Sequence, residues 1–291
     1  MTDLALDGQG AGRHTSAMIS GSQLPDMAGF HRTGWIRFPY DPLLAAWVEA
    51  VCPVAEELWT DPALLKTWLR CGGTWFAGVN VLENGPDGAV AGRGIPPLSG
   101  TVVATALDTL DRQDISWDPA QVSVCFPGYP QPWDGESEAA FRFRRDRDAA
   151  HVDGLLRQMP GRRRALGEVH GFILGIPLTD TPPEAAPMVV YEGSHDLMRA
   201  AFQERFRGIA PSDWAKEDVT DAYVAARRSA FETCPRTPVH ARPGEAYLVH
   251  RLALHGVAPW GTAGGNTPRA IAYFRPDPYP GLAPDWWLEM P

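Results

Sequence analysis

From Trp75 onward the chain is broken into short apolar segments: TWFAGVNVLE, GTVVATAL, QVSVCF, HGFILGIPL, MVVYEG, EAYLVH and RAIAYFR. Gly, Pro, Asn and Asp separate them. Segments this short, rich in β-branched and aromatic residues and bounded by turn formers, read as strands of a sandwich or barrel. One polar, helix-prone stretch, Ser194 to Cys234, interrupts them and reads as a helical insertion between core strands, at about 196–234. The N-terminal third has a different period. Leu43, Leu44, Trp47, Val48 and Val51 fall on one helical stripe behind Asp41-Pro42, an N-cap followed by proline at the first helical position. Asp61-Pro62 repeats that start signal ahead of ALLKTWLR, and Pro53 is expected to kink or split the first helix. The expected fold is mainly β with flanking helices: N-terminal helices, then a barrel or jelly roll with one helical excursion. Residues 23–291 read as a single domain, and the Gly/Ser-rich residues 1–22 as a flexible tail.

Composition removes several functional classes. The net charge is −9 and the pI about 5.4. A field of that sign repels nucleic acid and anionic membrane surfaces. No apolar run approaches the roughly 18–20 residues of a membrane span. Cys52, Cys71, Cys125 and Cys234 are widely spaced, which indicates neither a disulfide scaffold nor a zinc ribbon. They read as reduced thiols of a cytoplasmic protein, and the N-terminus lacks the pattern of a secretory signal. All basic residues except Lys66 and Lys216 are arginine, and eight arginines crowd between Phe141 and Arg164.

The chemistry is carried by few residues. Of the eight histidines, His170 and His240 have no motif partner, whereas His151 stands two residues before Asp153. In an extended segment residues i and i+2 share a face, so imidazole and carboxylate project together. That is half of a site in which two histidines and one carboxylate leave adjacent positions of a redox metal open. His255, 102 residues after Asp153, suits a third ligand from a distant strand, with His250 as its competitor. Fourteen residues after His255, Arg269 opens the apolar strand RAIAYFR. An arginine inside a barrel is costly unless it meets an anion. Its donor fork matches a carboxylate, such as the distal one of 2-oxoglutarate. Arg275 competes with Arg269, since six residues apart on a regular strand the two share a face.

Together AAHVDG (149–154), VVYEGSH (189–195) and HRLALHGVAP (250–259) with Arg269 resemble, in that order, the motifs of the phytanoyl-CoA dioxygenase-like family of Fe(II)/2-oxoglutarate-dependent oxygenases. The resemblance covers roughly residues 120–276. It implies a double-stranded β-helix (a cupin-like jelly roll), with iron on His151, Asp153 and His255 and the far carboxylate of 2-oxoglutarate on Arg269. It implies Fe(II), 2-oxoglutarate and O2 as cofactor and cosubstrates, and hydroxylation of a small molecule with release of succinate and CO2. Halogenating members carry a small residue where this chain has Asp153, so hydroxylation, desaturation or cyclisation is implied rather than halogenation. Gln121 is a further candidate contact to 2-oxoglutarate. Arg144 and Arg145, in the basic run before the metal motif, are candidate contacts to an anionic substrate. The insertion is a candidate lid. The expected partner is a small molecule, with neither nucleic acid nor membrane. Two other classes fit the same residues: a cupin-like metalloenzyme that needs no keto acid, and a non-catalytic jelly-roll binding protein.

Overall fold

The computed structural model describes residues 27–290, so the expected tail at 1–22 and His14 lie outside the described residues. The first half of the chain gives α1 (Met27–Thr33), β1 (Trp35–Phe38), α2 (Pro42–Thr60), α3 (Pro62–Trp68), β2 (Leu69–Arg70), β3 (Trp75–Phe76), α4 (Thr101–Thr109), β4 (Gln121–Cys125) and α5 (Glu138–Asp146). After it come β5 (Leu155–Met159), β6 (Arg163–Leu166), β7 (Phe172–Pro177), β8 (Met188–Tyr191), α6 (Ser194–Arg205) and α7 (Thr220–Thr233). The last elements are β9 (Arg236–Val239), β10 (Ala246–His250), β11 (His255–Val257), β12 (Arg269–Phe274) and α8 (Trp286–Glu289).

Seven strands form one antiparallel sheet in the order β1-β10-β7-β12-β4-β3-β2, and β11-β8-β9 form a second. Strand periodicity sorts their side chains. On β12 Ala270, Ala272 and Phe274 join Leu174, Leu248, Trp47 and Val51 in the core under α2, while Ile271 and Tyr273 face the other way. There they meet Tyr247 and Val249 of β10 and Met188 and Val190 of the small sheet, so the two sheets enclose a common interior. The outer face of the small sheet, Val189 and Tyr191, packs against Met198 and Phe202 of α6 and Tyr223 of α7. The helical insertion thus lies between β8 and β9, as its polar composition predicts.

Several local expectations are corrected. GTVVATAL forms helix α4 rather than a strand. A short apolar run cannot be told from a helix by periodicity alone, and here a distant carboxylate decides. Asp41 accepts hydrogen bonds from the Thr101 backbone N–H at 2.7 Å and its hydroxyl at 2.8 Å, and so caps the helix. Pro53 does not divide the first helix, which runs from Pro42 to Thr60 as one element. Burial of Trp47, Val51, Ala55 and Trp59 along one face holds the turns on either side. Leu69-Arg70 leaves the second predicted helix to pair with β3, and only Trp75–Phe76 of TWFAGVNVLE is strand. The basic run 142–147 lies mostly in helix α5. All four cysteines are free, and burial pushes the Cys71 and Cys125 thiols up to about 11 and about 12. Among the described residues no helix is long and apolar enough to cross a membrane.

Candidate metal centre

His151 and His255 form an isolated antiparallel bridge. The His151 N–H donates to the His255 carbonyl at 2.8 Å, and the His255 N–H returns the bond at 3.0 Å. The two rings lie 4.8 Å apart, centre to centre. Asp153 completes the set, with Oδ1 3.0 Å from His151 Nε2 and Oδ2 3.6 Å from His255 Nε2. One donor atom from each of the three residues lies within 4.8 Å of the others. The set is graded in exposure: the His255 side chain is 3% accessible, Asp153 15% and His151 47%. One side therefore faces solvent and the other the interior between the two sheets.

Backbone carbonyls fix which nitrogens are available. His151 Nδ1 lies 3.1 Å from the Ala149 oxygen, and His255 Nδ1 2.9 Å from that of Ala253. Each carbonyl can accept from the Nδ1–H of its ring, which holds that ring with Nε2, the nitrogen available to a metal, turned toward Asp153. Burial raises the Asp153 pKa, but the Arg275 guanidinium and the two histidines outweigh it and hold the carboxyl well below its usual range. The Arg275 contact is Nε to Oδ2 at 2.5 Å. Arg275 is itself fixed from behind. Its N–H donates to Asp118 Oδ1 at 2.7 Å, and His170 Nδ1 donates to its carbonyl at 3.0 Å.

Arg269 stands on the same inward face of β12, six residues before Arg275. It is 5% exposed. Its Nη2 donates to the Tyr273 hydroxyl at 3.3 Å, and the Tyr247 hydroxyl meets that of Tyr273 at 3.0 Å. Its Nη1 is buried with no hydrogen-bond partner among the described residues. Gly175 pairs with Tyr247 on one side and Tyr273 on the other. A Cβ at Gly175 would sit 2.2 Å from the Tyr247 ring, so the two hydroxyls can meet only over a glycine. A narrow cleft lined by Thr179, His240, Tyr247, Ile271 and Arg269 adjoins this end of the interior.

The other candidates are placed differently. The Gln121 amide donates to the Ala77 carbonyl at 2.7 Å, while its residue pairs with Tyr273 across the sheet. Arg144 is buried under α5, where it stacks 4.1 Å over Trp133, donates to Cys71 Sγ at 3.1 Å and pairs with Glu136. Arg145 is half exposed and pairs with its neighbour Asp146 at 2.6 Å. Neither makes a hydrogen bond or ion pair to His151, Asp153 or His255. His250 lies apart from the metal cluster. Its Nδ1 accepts from the Leu252 N–H at 3.0 Å, its ring packs on His195, and burial and nearby arginines keep it neutral. Sequence reasoning did not reach the Tyr247–Gly175–Tyr273 rung, the contact from Arg275 to Asp153, or Asp148. The alternation in RAIAYFR was the one signal that could have placed Tyr273 and Arg275 beside the site.

No protein-family model matches the chain, and no curated protein sequence matches it. Among solved structures it is similar to SnoK of nogalamycin biosynthesis, a non-haem α-ketoglutarate-dependent carbocyclase, at 15% identity and a TM-score of 0.50 over 94% of this chain and 92% of that one. The likeness is one of fold. Two further structures match less well. AviO1 from Streptomyces viridochromogenes gives a TM-score of 0.49 at 17% identity, over 91% of this chain and 100% of that one. HygX from Streptomyces hygroscopicus, solved with nickel, 2-oxoglutarate and hygromycin B, gives 0.46 at 15% identity, over 88% of each chain.

Proposed function

We propose that the protein is an Fe(II)- and 2-oxoglutarate-dependent oxygenase with a double-stranded β-helix core, spanning residues 23–291 as one domain, that hydroxylates a small molecule. The observation that carries this reading is the pairing of a His151–Asp153–His255 cluster with a buried, half-partnered Arg269 on the same interior. The donor set fits the ion: two Nε2 atoms turned toward one carboxylate leave a face open, as a redox iron requires. The orphaned Nη1 fits an anion, and beside it the Tyr273 hydroxyl, which accepts from Arg269 and from Tyr247, keeps its own O–H for a second carboxylate oxygen.

His151, Asp153 and His255 would hold iron, and Arg269 the distal carboxylate of 2-oxoglutarate. Bound there, iron and 2-oxoglutarate supply the oxidising chemistry that uses O2 and releases succinate and CO2. The chain's own residues set the geometry. The carbonyls of Ala149 and Ala253 hold both imidazoles with Nε2 toward Asp153, and Arg275 keeps Asp153 ionised. The closed interior around Ile271, Met188 and Val190 excludes water. Substrate would enter on the exposed His151 side. Arg144 has its own partners, which leaves Arg145 as the freer cation for an anionic substrate, and the reading does not depend on either. The presence of Asp153 supports hydroxylation over halogenation.

The test is anaerobic. Fe(II) and 2-oxoglutarate added to the apo protein should give the weak visible charge-transfer band of the chelate. His151→Ala should abolish it, and Arg269→Ala should raise the 2-oxoglutarate needed by about 10–100-fold, the weight of a lost charge-assisted bidentate contact. Metal loading without a band would favour a metalloenzyme that uses no keto acid.

A further inference from the structure

The most solvent-exposed of the three metal-site residues is the one whose support is most elaborate. His151 follows Asp148 and Ala149, two successive non-glycine residues in the left-handed region, with φ of 56° and 52°. Such conformations are strained and persist only where surrounding structure imposes them. Here the imposing structure is visible. The Asp148 carboxylate is buried and accepts three hydrogen bonds: from Arg236 Nε at 2.8 Å, from Arg236 Nη2 at 2.6 Å, and from the Tyr191 hydroxyl at 2.9 Å. Its own carbonyl accepts from the Val257 N–H at 2.9 Å, and it lies so close to Gly256 that a Cβ there would meet it at 2.1 Å. The turn so held places the Ala149 carbonyl against His151 Nδ1.

We infer that the Arg236–Asp148–Tyr191 clamp is the positioning device of the metal centre, holding the turn that orients His151. The inference rests on the metal reading above for its purpose, though not for its geometry. The chain of causes is continuous. The bidentate Arg236 fork and the tyrosine fix the Asp148 side chain, and the fixed side chain stabilises the left-handed pair. The left-handed pair aims the Ala149 carbonyl, and the carbonyl holds the His151 ring with Nε2 turned toward Asp153. Arg236 is the first residue of β9, directly after the α6–α7 insertion, and Tyr191 ends β8 directly before it. Both ends of the insertion therefore converge on the residue that supports His151.

The test reads His151 in the metal-free protein. Amide hydrogen exchange should show the His151 N–H, which donates to the His255 carbonyl at 2.8 Å, protected in wild type. Arg236→Gln and Asp148→Asn should lower that protection about tenfold or more, with Arg236→Lys intermediate. Anaerobic Co(II) titration should show affinity lowered about 10–100-fold in the first two variants, the usual weight of an outer-sphere partner. Arg236→Gln changes a partly exposed strand residue, so it keeps the question answerable if Asp148→Asn fails to fold. Folded variants with wild-type protection of the His151 N–H and Co(II) affinity within twofold of wild type would overturn the clamp. Wild-type protein that binds no Co(II) would instead overturn the metal reading, and protection of the His151 N–H would still decide whether Asp148 holds the turn.

Discussion

On the proposed reading Asp153 must stay charged before a divalent ion arrives, and Arg275 at 2.5 Å keeps it so. Removing one partner of a desolvated ion pair is far more costly than replacing both, because it strands the other charge. Arg275→Gln should therefore lower the stability of the metal-free protein by about 3 kcal/mol. Saturating Co(II) should recover part of that loss by supplying the counter-charge. Denaturation midpoints with and without metal measure both, and a variant as stable as wild type without metal would show that the pair carries no weight. Gly175 makes a steric claim at the same scale. With a Cβ placed 2.2 Å from the Tyr247 ring, Gly175→Ala should cost about 1–3 kcal/mol by overpacking and also raise the 2-oxoglutarate concentration for half-saturation. A wild-type half-saturation in a folded variant would detach the tyrosine rung from cosubstrate binding. That H-x-D and the distant histidine belong together was legible because few residue types can serve as metal donors, and the structure brings these three together. Asp148 was not, because an aspartate in an arginine-rich run looks the same whether it is solvated or buried under a clamp.

At the scale of elements, Asp41 ties two helices together. Its Oδ1 accepts from the Leu43 N–H at 2.9 Å to cap α2, and its Oδ2 accepts from Thr101 to cap α4. Asp41→Ala removes both caps and should cost about 2 kcal/mol. Burial raises the Asp41 pKa, but the hydrogen bonds from Thr101 and Leu43 outweigh it, and the folded value lies below the ordinary one. A lowered folded-state pKa gives stability that is present above the unfolded carboxylate range, near about 4, and is lost as pH falls through the folded value. Acid unfolding of Asp41→Asn should thus be less steep than that of wild type below about pH 4, and parallel curves would remove Asp41 from the acid response. This pair of caps also explains which elements were legible. Asp41-Pro42 and Asp61-Pro62 announce helices locally, whereas α4 starts at Gly100 with no side-chain cap of its own and borrows one from 60 residues away. The strands QVSVC, FILGIP, MVVY, AYLVH and RAIAYF were legible because both faces of a strand enclosed between sheet and helices must be apolar.

At the scale of the whole molecule, the two sheets and the bridge between His151 and His255 bring together candidate ligands 104 residues apart. A metal that binds only this assembled arrangement stabilises the fold by about 2.7 kcal/mol at 100 times its dissociation constant. Anaerobic Co(II) should accordingly raise the unfolding temperature of wild type and leave that of a His151→Ala, His255→Ala double variant unmoved. An equal rise in both would place the ion elsewhere. The sequence by itself determined the residue types of the site, their order along the chain, the β character of the last two thirds and the position of the insertion. Each follows from local periodicity or from the chemistry that a metal or a carboxylate demands. Only the tertiary structure decided that Arg275 faces Asp153 while Arg269 keeps a free donor, that GTVVATAL is helical, and that Arg236 reaches Asp148 across 88 residues. Those outcomes depend on which buried charge meets which partner, and long-range contacts fix such pairings after neighbouring residues have spent their influence.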